Sequence, residues 1–160
     1  MSSQFKQIPI YISSTPLFIG KTTMHIPDTL YHFTSKKAKE QFPQAVHETY
    51  LMLQTYPVVI KEIKKEKVKK IIYSPNVRKE KANLLATHGE GYIGIKREKL
   101  PTEKLICNYA TDVVHELRHM KQEREGTIPE KMHYEKDYEK YRNLPWEVDA
   151  RKYTSKVIRC

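Results

Sequence analysis

The chain has 160 residues, 30% of them charged, and a formal net charge of +10. That length suits one domain with a real core and leaves little for a separate substrate lobe. No apolar run approaches the ~20 residues that a bilayer crossing needs, so the sequence predicts no membrane span.

Met1 to Lys6 is polar, and the Ile/Tyr-rich segment after it is broken by Pro9 and Pro16 instead of running on as a signal-peptide core. The two cysteines, Cys107 and Cys160, lack the C-x-x-C spacing of a thiolate metal site. One falls inside a helical pattern and the other is the last residue, at an end expected to fray. The expectation is therefore a cytoplasmic protein with no structural disulfide and with Cys107 in the core. Positive charge is densest over Lys61 to Lys70, where Ile63 and Val68 punctuate the lysines. Nucleic-acid sites focus basic groups on one surface beside aromatic or base-reading partners, and nothing in this run supplies that focus. It reads as a solvated face.

Ile8 to Ser13 has the pattern of a strand, and Leu17 to Gly20 with Thr23 to Ile26 that of a hairpin turning at Gly20-Lys21. Ser35 to Tyr56 reads as a helix capped by Ser35, with Val46, Tyr50, Leu53 and Tyr56 as its buried stripe. Pro43 requires a kink or a late start there, and Pro57 ends the helix. Val58 to Ile63 and Val68 to Tyr73 read as strands, the second stopped by Ser74-Pro75-Asn76. Leu84 to Ala86 and Tyr92 to Lys96 flank a turn at Thr87-His88-Gly89-Glu90-Gly91.

Leu105 to Met120 has helical periodicity, with Thr102 as N-cap and Gly126 as stop. Ile106, Ala110, Val113, Leu117 and Met120 form an apolar stripe, and Asn108, Asp112, His115 and His119 a neighbouring one. Within it lies His115-Glu116-Leu117-Arg118-His119. Positions i and i+4 share a helix face, so both imidazoles can reach one metal while Glu116 projects beside them. Zinc takes neutral imidazole nitrogens, and in catalytic sites three protein ligands leave one position for water.

Thr127-Ile128-Pro129-Glu130 is a capping box, predicting a helix from about Ile128 to Arg142 packed through Tyr134, Tyr138 and Tyr141. One of these tyrosines, or His133, could instead donate a hydrogen bond to an oxyanion. A last helix starts with Asn143 as cap and Pro145 in the first turn, burying Trp146, Ala150, Tyr153 and Val157. Glu147 borders that stripe, three residues before the small Ala150, and is the best third ligand. Glu125 follows His119 too closely, Glu135 and Glu139 flank a tyrosine face, and Asp149 points roughly opposite to Glu147. Asp112 or Asp149 could orient a ligand imidazole from behind. His25, His32, His47 and His88 have no partner at ligand spacing.

HELRH followed by PWEVDARKY resembles the minimal gluzincin metallopeptidases, zincins in which two His of HExxH and a downstream Glu bind zinc, and in particular the small bacterial and phage ImmA/IrrE-like group. The likeness covers roughly the C-terminal third of the chain. It implies a single zincin-like domain over residues 1–160, Zn2+ on His115, His119 and Glu147, Glu116 as general base, and a peptide or protein substrate. The helix-turn-helix module often found beside such domains is not evident, so repressor cleavage does not carry over. In zincins the strand before the active-site helix commonly forms an edge that pairs with extended substrate, and residues 91–96 hold the matching place in the order.

The fold expected is α+β, a small and mostly antiparallel sheet covered by helices, with HELRH on a central helix. The function expected is a zinc metallopeptidase. Two other classes fit the sequence: a zincin-derived binding or regulatory module without turnover, and a basic nucleic-acid-associated accessory protein on which HELRH is a coincidence.

Overall fold

The computed structural model describes residues 17–19, 22–25, 42–68, 70–74, 86–89, 92–128 and 138–160. The strand expected at Ile8 to Ser13, the cap at Ser35, and His32, His133, Tyr134 and Glu135 lie outside them.

β1 (Leu17–Ile19) and β2 (Thr22–His25) pair antiparallel with Leu17 opposite Met24, as the hairpin pattern implies. β2 then runs parallel to β3 (Lys70–Ser74), an arrangement that needs a crossover, and among the described residues that crossover contains α1 (Phe42–Thr55) and α2 (Val58–Glu66). β3 is also parallel to β5 (Tyr92–Lys96), while β4 (Ala86–Gly89) pairs antiparallel with the other side of β5. The order is β1-β2-β3-β5-β4.

The architecture is α+β, but the sheet is mixed and not mostly antiparallel. Both central pairings are parallel, and the antiparallel ones lie at the margins. The edge assignment for residues 91–96 is likewise overturned, because β5 has a strand on each side and β4 forms the rim. The side chains of β5 explain its central place. Ile93 and Ile95 are fully buried, in register with Ile71 and Tyr73 of β3, so one face of both strands belongs to the core.

α1 takes the late start, with Pro43 in its first turn, where a missing N–H is no loss. Its buried face is Ala45, Glu48, Thr49, Met52 and Leu53; Val46, Tyr50 and Tyr56 are only half-buried, so the stripe is rotated from the expected one. Residues 58–63 are helix and not strand. The β-branched run Val58-Val59-Ile60 suggests a strand locally, yet Val59, Ile60 and Ile63 recur at helical spacing and are all buried, with Lys61, Lys64 and Lys65 exposed.

The central element is α3 (Thr102–Glu125), which packs against α1, α2, β4, β5 and the last helix. Its cap is Pro101 instead of Thr102, and it stops at Gly126, whose φ of 75° lets its N–H reach the carbonyls of Gln122 and Glu123. Beyond it, Ile128 lies in a bend and not in a helix. α4 (Tyr138–Arg142) and α5 (Pro145–Val157) follow. Asn143 does not cap α5; its side-chain amide donates to Glu139 O, closing α4, and Leu144 is the N-cap residue.

The structure also joins Cys107 to Cys160, with Cα atoms 5.8 Å apart, against the expectation of no disulfide. The chain end does not fray because Ile158 is buried in the core cluster, which returns the terminus to α3. Among the described residues no helix is long and apolar enough to cross a membrane.

Candidate metal centre

The centre is built by two helices. α3 and α5 are in extensive contact, and the exposure of Ala150 is zero, so the smallest side chain of α5 sits where the backbones approach. The buried residues of α5 are Glu147, Ala150 and Thr154. Glu147 is thus on the buried face itself, with Trp146, Tyr153 and Val157 only half-buried at its sides. Pro145 at the first position of α5 fixes Glu147 in the first turn, where the helix dipole favours an acid.

His115, His119 and Glu147 converge. Their candidate ligand atoms all lie within 4.8 Å of one another, and they are the one such group of three among the described residues. His119 Nε2 is 3.1 Å from His115 Nε2 and 2.7 Å from Glu147 Oε2, and His115 Nε2 is 3.2 Å from Glu147 Oε1. The two rings meet edge to face, as side chains one helical turn apart must when their tips point at one place. Exposed Glu125 and Glu139 take no part, and neither does His47.

The group can hold a metal ion. Glu147 Oε2 is buried, and the atom of the group that faces it is an imidazole nitrogen, His119 Nε2, 2.7 Å away. Lone pairs at that separation repel unless a proton or a cation lies between them. Three such atoms around one point, two imidazole nitrogens and a carboxylate oxygen, make the donor set of a transition-metal site.

Burial alone would raise the Glu147 carboxyl, but the hydrogen bonds and charges of His115 and His119 outweigh it and hold the group down to about 2. Burial pulls His119 down; the bond to Glu147 and the charges of Glu116 and Glu147 reverse this and leave its pKa raised. Glu116 itself is buried on the same helix.

The residue behind His119 is not a carboxylate. Gln122 Oε1 lies 2.7 Å from His119 Nδ1, while Gln122 Nε2 donates to Trp146 O at 2.9 Å and to Asp149 Oδ2 at 2.7 Å. Asp149, weighed from the sequence as an imidazole partner, stands one bond further out and is held by Arg118 through Nε and Nη2 at 2.8 and 3.1 Å. Gln122 and Arg118 escaped sequence reading, although Gln122 lies three residues after His119, a spacing at which helical side chains meet. Compared with family models, curated proteins and solved structures, the chain matches none.

Proposed function

We propose that the chain is a zinc-dependent metallopeptidase. The observation that carries this reading is the convergence of His115, His119 and Glu147 on one point, with Glu116 on the same helix turn as the two imidazoles. His115, His119 and Glu147 would hold zinc, whose chemistry when bound is to acidify a water and polarise a carbonyl. Glu116 takes the proton of the attacking water and returns it to the leaving amine, and its burial beside an imidazole keeps that proton from bulk water. An extended peptide would add to the sheet at β4, since β5 already has a partner on each side.

Metal analysis after zinc-replete expression tests the site, with about one zinc per chain expected. Finding none sinks the proposal. On a peptide library, Glu116→Gln should keep the zinc and abolish hydrolysis, because an amide has the shape of the carboxylate and cannot accept the proton. Bound zinc with no turnover of any library peptide by the wild type would instead favour a zincin-derived binding module.

A further inference from the structure

Gln122 is a buried polar side chain whose every hydrogen-bonding group is used. Its two amide hydrogens go to the Trp146 carbonyl and to Asp149 Oδ2, and neither offers a hydrogen in return. The carbonyl has none, and both oxygens of Asp149 accept from Arg118, from Nε at 2.8 Å and from Nη2 at 3.1 Å. Two obligatory acceptors fix which end of the amide is NH2, so the oxygen must be the end that faces His119 Nδ1 at 2.7 Å. An oxygen there can only accept. His119 Nδ1 must therefore carry a hydrogen, which leaves Nε2 as the nitrogen that can take a cation shared with Glu147 and His115.

The same side chain locks the other helix. Trp146 and Asp149 bracket Glu147 in the first turn of α5, so the bonds from Gln122 set the register of Glu147 against the two histidines. We propose that Gln122, held by Asp149 and Arg118, is the positioning residue of the centre: it selects the metal-binding tautomer of His119 and fixes the placement of Glu147. The inference rests on the metal-site reading. Arg118 also lies 4.4 Å over the Tyr153 ring, and Tyr153 donates to Glu62 at 2.5 Å, so the support continues from α5 into α2.

The first test reads the proton directly. Long-range proton–nitrogen NMR on histidine-labelled, zinc-loaded protein should show His119 bound through Nε2 and carrying its hydrogen on Nδ1, with that hydrogen exchanging faster in Gln122→Met than in the wild type. Binding through Nδ1, or an exchange rate that Gln122→Met leaves unchanged, would overturn the proposal. The second test is zinc affinity by competition with a chromophoric chelator. Gln122→Met should weaken zinc about 10- to 100-fold with the helical circular dichroism retained. Gln122→Glu, which keeps the size but loses both donors, should weaken it too. Wild-type zinc affinity in both variants would refute the role of Gln122 while leaving the zinc site standing, whereas failure of the wild type to bind zinc would refute both.

Discussion

A glutamate placed between two histidines has a different value with and without a cation. In the metal-free chain Glu147 compensates the His119 imidazole, which burial would keep neutral; on the proposed reading it is a ligand of the metal. Glu147→Ala should therefore abolish stoichiometric zinc binding, as should His115→Ala and His119→Ala, because two protein ligands are too few for a tight site. Exposed Glu139, mutated to Ala, should leave zinc binding within twofold of wild type in the same chelator competition. Retention of wild-type affinity by Glu147→Ala would reject it as a ligand. The histidine pair was legible because i and i+4 on a helix is a strict geometric relation, and Glu147 because proline and a small residue frame it. Gln122 was not, since its role depends on partners 24 and 27 positions away that only the docking of α5 brings near.

At the scale of elements, α2 is the most instructive departure. Ile63 is fully buried and Lys64 exposed, which holds for the helix and would also hold for a strand, but Val59 and Ile60 are both buried as neighbours, which alternation forbids. Ile63→Ala should cost about 3 kcal/mol in chemical denaturation and Lys64→Ala less than about 0.5 kcal/mol. The end of α3 offers a cleaner number. A Cβ added at Gly126 would meet nothing within 4 Å, so the penalty of Gly126→Ala is purely conformational and should be about 1 kcal/mol, set by the left-handed φ of 75°. A neutral result would mean that the backbone relaxes out of that region. The hairpins and long helices followed from local signals, whereas the central place of β5 did not: its alternation is the same at an edge, and only direct pairing with β3, while β4 goes to the rim, decides it.

Across the whole molecule, one buried charge ties the crossover to the site-bearing helix. Glu48 of α1 accepts hydrogen bonds from Tyr73 of β3 at 2.7 Å, from Arg97 after β5 at 2.7 and 2.8 Å, and from Gln44 at 3.1 Å. Tyr73 stacks on Tyr109 of α3 with ring centroids 4.0 Å apart, and Tyr109 meets Thr49 of α1 at 3.1 Å. Burial pushes the Glu48 carboxyl up, but the bonds from Arg97, Tyr73 and Gln44 more than offset it, so its pKa in the folded chain is lowered from the ordinary 4.5. The stability this contributes is therefore complete above pH 4.5 and is lost as pH falls from there through the folded pKa. Glu48→Gln removes the buried carboxylate that Arg97 and Tyr73 both bind and should cost about 3 kcal/mol at pH 7. The deficit relative to wild type should shrink as pH falls below 4.5, because the wild type is then losing the same interaction. Glu147, also held low in the zinc-free chain, gives an acid limb of the same sign that Glu48→Gln does not remove, so the comparison is between the two proteins at each pH, with chelator present. Urea midpoints at pH 3 and pH 7 measure it. An equal deficit at both would show that Glu48 carries no charge in the fold, and α1 would then be tied to α3 through the Thr49–Tyr109 hydrogen bond and packing.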